Sequence, residues 1–97
     1  MKVAIKEDLI DLIPVLMESL KKDLDQIRIS IEAGDLEEVS ERAHSSRGAA
    51  LTFGFNDYAE ELKDMRIAVV SNDWPAINES YERLNLLLDK VEFHAGR

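Results

Sequence analysis

The sequence predicts an all-α fold, an up-down antiparallel four-helix bundle with a short N-terminal capping helix. Three observations carry that prediction. Apolar residues recur at steps of three and four almost from end to end, the spacing of one helical face. Only four glycines and two prolines interrupt them. The interruptions leave connections of about two to five residues, short enough to make consecutive helices antiparallel neighbours. At 97 residues the chain is read as a single domain, 1–97.

Leu9, Ile13, Leu16, Leu20, Leu24, Ile27 and Ile31 form the first stripe. Pro14 lacks an N–H and crowds the preceding turn, so a short helix over about 5–12 is expected, then a kink or break and a long helix over about 13–32. Gly34 suits the left-handed residue that follows a helix. Asp35, with Glu38 three residues on, reads as a capping box that opens the next helix, whose stripe is Leu36, Val39, Ala43, Ser46, Ala50 and Phe53. Phe53-Gly54-Phe55 closes it. Asp57 and Glu60 read as a second box, opening a helix striped by Tyr58, Leu62, Met65 and Val69. Ser71-Asn72-Asp73 ends that helix and Asp73 caps the last one, with Pro75 in its first turn. Ile77, Tyr81, Leu84, Leu88 and Val91 carry the final stripe to about 93, and the tail from His94 is expected to fray. No strand-like alternation is read anywhere. The turns at 32–36 and 70–74 echo each other only as stop-and-cap devices, and Trp74 is read as a packing residue that closes a helix end.

Composition excludes several functions. With no cysteine there are no disulfides, thiolate metal sites or cysteine nucleophiles. Twelve basic against twenty acidic residues give a net charge of −8, which disfavours nucleic acid as a partner. No apolar run approaches the ~18 residues of a membrane span and no leader follows Met1-Lys2, so a cytoplasmic protein without a membrane partner is expected. A chain this small has little room for a deep substrate cavity, and a surface that works on another protein is the better expectation.

The informative stretch is Ala43-His44-Ser45-Ser46-Arg47-Gly48-Ala49-Ala50-Leu51-Thr52-Phe53-Gly54. At 100° per residue, His44 lies about 130° from the centre of its helix's apolar stripe and Gly48 almost opposite that centre. The imidazole is therefore expected in solvent, sharing its face with Ser40, Glu41, Gly48 and Leu51. Glycine inside a helix costs up to ~1 kcal/mol relative to alanine. One turn after His44 it leaves open space beside the ring. Arg47, three residues on, brings a permanent positive charge to the same space. The small pair Ala49-Ala50 lets a neighbouring helix pack closely. An exposed nucleophile, clearance beside it and a cation for an anionic product are what phosphorylation of a surface histidine requires.

This pattern resembles the histidine-containing phosphotransfer (HPt) domains of two-component relays. Their signature is a histidine, two residues, lysine or arginine, glycine and small residues, with another glycine ten positions after the histidine. Here those are His44, Arg47, Gly48, Ala49, Ala50 and Gly54. The short leading helix, the Gly34-Asp35 turn and the Asn72-Asp73-Trp74 turn extend the resemblance along the whole chain. Arg47 stands where lysine is commoner, and Ser46 where leucine is frequent. The resemblance implies phosphorylation of His44 on Nε2, with Arg47 and Gly48 in support. It also implies a receiver domain, or a hybrid sensor kinase, as partner, with Mg²⁺ in the receiver and no cofactor bound by this chain. An imidazole's ordinary pKa of ~6.5 leaves much of it neutral and nucleophilic near pH 7. The chain lacks a nucleotide loop and a carboxylate cluster for Mg²⁺, so a phosphoryl carrier with no kinase activity of its own is expected.

Leu51 is the expected apolar docking contact, with Ser40 and Glu41 on the same face of the helix and Met17 and Lys21 on the preceding helix as weaker candidates. The chain is expected to be a monomer. Glu41-x-x-His44 has the spacing of a di-iron ligand pair, but such sites need a second unit and inward carboxylates, and Val91 precedes His94 where a glutamate would stand. No metal and no role for His94 are expected. The competing expectations are a helical interaction module that keeps the motif as a docking surface without taking phosphate, and a phosphoacceptor domain belonging to a larger kinase. Met1 and the lack of a trailing linker favour a free-standing carrier.

Overall fold

Four helices run antiparallel in sequence order: α1 (Ile13–Glu32), α2 (Leu36–Thr52), α3 (Asn56–Val70) and α4 (Trp74–Lys90). The computed structural model describes residues 1–96. Each helix packs on the next and α1 closes against α4, giving a rod of 41 × 19 × 18 Å. The predicted stripes are the core. Leu16, Leu20, Leu24 and Ile27 from α1 meet Val39, Ala43 and Ala50 from α2, Tyr58, Leu62 and Met65 from α3, and Ile77, Leu84 and Leu88 from α4, all buried. Burying each such leucine or isoleucine contributes about 1.5–3 kcal/mol, the main drive for the bundle. Two stripes are rotated slightly from expectation. Ala68 rather than Val69 is buried on α3, and Ser80 rather than Tyr81 on α4, with Val69 and Tyr81 half-buried at the margin.

The three interhelical turns share one device. Gly34, Gly54 and Asn72 take positive φ values of 68°, 73° and 56°. The following N–H then reaches back to the helix it has left: Asp35 to the Ser30 carbonyl, Phe55 to that of Ala50, and Asp73 to that of Ala68, each at 2.9 Å. Asp35 and Asp73 next cap α2 and α4, their carboxylates accepting from the Glu38 and Ala76 amides at 3.1 Å. The reciprocal half of the first capping box does not form, because Glu38 pairs instead with Arg42 at 2.7 Å. The expected box at Asp57 and Glu60 is absent. Phe55 occupies the cap of α3 without a side-chain bond, and Asp57 lies inside the first turn, where its charge favours the helix dipole.

The termini differ from expectation. Residues Lys2–Lys6 form a strand, β1, rather than the start of a helix, and the leading helix is a 3-10 helix, Glu7–Leu12. Helix α4 stops at Lys90, with Val91 extended at φ −69°, ψ 137°. Of the tail expected to fray, His94–Gly96 belongs instead to a second strand, β2 (Glu92–Gly96), paired parallel with β1 from Lys2↔Glu92 to Lys6↔Gly96, and Arg97 lies outside the described residues. The whole bundle is the crossover that a parallel pair requires. Alternation in Lys2-Val3-Ala4-Ile5-Lys6 buries Val3 and Ile5, and Phe93 meets the ring of Phe55 edge-on at 5.6 Å. Gly96 allows the approach, since a Cβ there would stand 2.9 Å from that of Ala4. The two strands thus tie the segment before the leading helix to the segment after α4, at the end of the bundle where Phe55 lies.

Candidate functional site

Helix α2 presents its small residues inward. Ala43, Ser46 and Ala50 are buried and Ala49 is half-buried against the core, which brings α2 close to its neighbours. The buried Ser46 hydroxyl is satisfied, donating to the Asp23 carboxylate of α1 at 3.3 Å. With that face fixed inward, the opposite face carries His44, Gly48 and Leu51 into solvent, as the angular argument requires. A Cβ at Gly48 would meet no atom within 4 Å, so the flank of the imidazole is open. Leu51 is 46% exposed and lies beside a shallow depression bounded by Ala4, Lys6, Leu9 and Gly54.

The cation that touches the ring is not the one the motif suggests. Arg66, from α3, places Nη1 3.2 Å from His44 Nδ1 and Nε 3.4 Å from the hydroxyl of Ser40. Antiparallel packing of α2 and α3 brings position 66 level with 40 and 44, a proximity that no spacing within one helix reveals. Arg47, one turn from His44 on α2, is half-buried, and its Nε is enclosed without a hydrogen-bond partner among the described residues. Among the described residues neither Arg47 nor Arg66 forms an ion pair, although the chain carries eight more acidic than basic groups. Two guanidinium groups without an ion pair, Arg66 in contact with the ring and Arg47 three residues further along α2, suit an anion of roughly two charges on that imidazole.

The other predicted contacts divide. Ser40 and the exposed Glu41 lie beside His44. Met17 does not: it packs against the core and lines a recess with Ile10, Ile13, Pro14, Val91 and Phe93. Lys21 lines the groove between α1 and α4 with Tyr81, Asn85 and Asp89. His94 lies in β2 and is exposed, at the strand-paired end of the bundle. Trp74 packs against the core at the start of α4. Among the described residues no three histidine, aspartate or glutamate side chains cluster closely enough to hold a metal ion, and no helix is long and apolar enough to cross a membrane.

No curated protein and no solved structure matches the chain. Residues 11–93 match the family model of the Hpt domain, a span that takes in all four helices together with His44, Arg47, Gly48 and Arg66. The chain belongs to the Hpt domain family, the phosphotransfer modules of two-component signalling.

Proposed function

We propose that this chain carries a phosphoryl group on His44 between aspartates of receiver domains, or from a hybrid sensor kinase to a response regulator. The observation that supports the reading most is the exposed imidazole of His44, with open space at Gly48 one turn along and the Arg66 guanidinium in contact with the ring. In the tautomer that carries its proton on Nδ1, the Nε2 lone pair attacks the phosphorus of an aspartyl phosphate. The bond from phosphorus to the carboxylate oxygen breaks, the electron pair leaves with the carboxylate, and the ring proton on Nδ1 passes to solvent. Onward transfer is the same step reversed onto another aspartate. Mg²⁺ belongs to the receiver site, where it offsets charge on the transferring oxygens.

On this chain the roles divide by position. Arg47 offsets the charge of the phosphoryl group, and Gly48 leaves room for the partner to bring its aspartate in line. Leu51, two turns beyond His44 on the exposed face of α2, gives the partner an apolar contact, and Ser40 and Glu41, a turn before His44, extend that surface the other way. Met17 and Lys21 face other grooves and are left out of this surface. A phosphorylated receiver with Mg²⁺ should label the chain, the label should be acid-labile, and His44→Gln should abolish it. Label that persists in the variant, or no label from any receiver of the same cell, would leave the chain as an interaction module only.

A further inference from the structure

An arginine has no lone pair to offer and can only donate, so the 3.2 Å contact from Arg66 Nη1 makes His44 Nδ1 the acceptor. A neutral imidazole carries one N–H, and with Nδ1 accepting, that hydrogen sits on Nε2. The charged group in contact with the ring is Arg66 on α3; Glu41 and Arg47 lie a turn to either side of His44 along α2, and Lys63, one turn before Arg66, is paired to Glu60. None but Arg66 hydrogen-bonds to Nδ1.

We infer that Arg66 is a positioning residue that keeps Nδ1 of His44 unprotonated, and in doing so prolongs the life of the phosphorylated carrier. The inference rests on the proposed role of His44. A ring phosphorylated on Nε2 and neutral overall has its lone pair on Nδ1, so it accepts the same hydrogen bond from Arg66. Loss of the phosphoryl group to water breaks the bond between phosphorus and Nε2, and the electron pair stays on the ring. If Nδ1 is protonated first, the ring departs as neutral imidazole, a good leaving group. If Nδ1 is bare, it departs as an anion and the reaction is slow. By opposing protonation at Nδ1, Arg66 holds the phosphoryl group against hydrolysis until a docked partner takes it. The same contact disfavours, in the unphosphorylated chain, the tautomer whose Nε2 lone pair attacks. Arg66 must therefore release Nδ1 during transfer. Its guanidinium also reaches Ser40 through Nε, which gives the side chain a second anchor on α2.

Two measurements on the full chain separate the possibilities. In unphosphorylated protein, nitrogen NMR of the His44 ring should show a bare, hydrogen-bonded Nδ1. Arg66→Met should move that signal toward the protonated form, while Arg66→Lys, which keeps a donor, should hold it near wild type. In phosphorylated protein, Arg66→Met should shorten the half-life of the label near neutral pH by roughly threefold to tenfold, the factor that one net hydrogen bond corresponds to. In alkaline buffer, where Nδ1 is bare in any case, the two proteins should decay alike. Unchanged ring signals and an unchanged half-life in Arg66→Met overturn the inference. Equal shortening at both pH values also overturns it, since a merely structural role has that effect. If the wild type takes no label at all, the carrier reading fails and the lifetime claim falls with it, while the ring signals still decide whether Arg66 sets the tautomer.

Discussion

Replacing Gly48 with alanine should make the protein more stable. The residue lies in the interior of α2, away from either cap, and an added Cβ meets nothing within 4 Å. Its carbonyl still accepts from the Thr52 hydroxyl at 3.0 Å, a bond the substitution leaves in place. What changes is the backbone entropy of the unfolded chain and the helix propensity, together worth about 0.5–1 kcal/mol in favour of alanine. Unfolding entropy near 2.1 cal/mol/K per residue gives a chain of this size about 0.2 kcal/mol/K, so the midpoint should rise by about 2.5–5 °C. Thermal unfolding followed by circular dichroism reads this directly. The companion variant, Gly48→Gln, should be no less stable than wild type but should accept phosphate about tenfold more slowly or worse, since its side chain fills the space a partner needs. A destabilised alanine variant would mean that position 48 packs against something. A glutamine variant with normal transfer would mean that the open flank has no part in docking.

Two further substitutions test the core. The Tyr58 hydroxyl is buried without a hydrogen-bond partner among the described residues, so Tyr58→Phe should stabilise by about 1 kcal/mol in urea denaturation, and a loss of stability would show that the hydroxyl is satisfied. Burial foremost, then the charge of Asp23 and the neighbouring Tyr81, raises the Tyr58 pKa well above its usual value of ~10. The folded chain therefore holds this proton more tightly than the unfolded one. Its contribution is complete below pH ~10 and is lost as pH rises beyond it, so the phenylalanine variant should lose less stability in alkaline titration. Ser46→Leu, although it adds apolar volume, should destabilise by about 1–3 kcal/mol, because the site is closed and Asp23 loses its donor. A more stable leucine variant would show that the cleft between α1 and α2 has room to spare.

The helices and most of their ends were legible in the sequence, because the signals that set them are local. Stripes at helical spacing define α1 to α4, and Gly34, Asp35, Gly54 and Asp73 mark the turns within a residue or two. The exposure of His44 and the open flank at Gly48 followed from phase alone, since one buried face fixes the opposite one. The strands were not read. Each is five residues long, and their pairing joins segments some ninety residues apart that no local pattern connects. Lys2-Val3-Ala4-Ile5-Lys6 did carry a period-two signal, but Glu92–Gly96 contributes only Phe93 as a large apolar residue. Arg66 was missed for a related reason. It follows the buried Met65 on the flank of its stripe, and either flank of α3 could have faced α2. Only the packing of the two helices decides which, and that is set by side-chain shape across their whole length rather than by position 66. Arg47, by contrast, was visible from its spacing, yet the ring's hydrogen bond goes to the residue that spacing does not show.

The most direct test of the carrier assignment is to locate the phosphoryl group itself. After incubation with a phosphorylated receiver and Mg²⁺, phosphorus NMR and peptide mapping should find a single phosphoimidazole, bonded through Nε2 of His44 and missing from His44→Gln. Phosphate on Nδ1, on His94 or on any hydroxyl would contradict the account, as would a chain that binds the receiver tightly and never becomes phosphorylated.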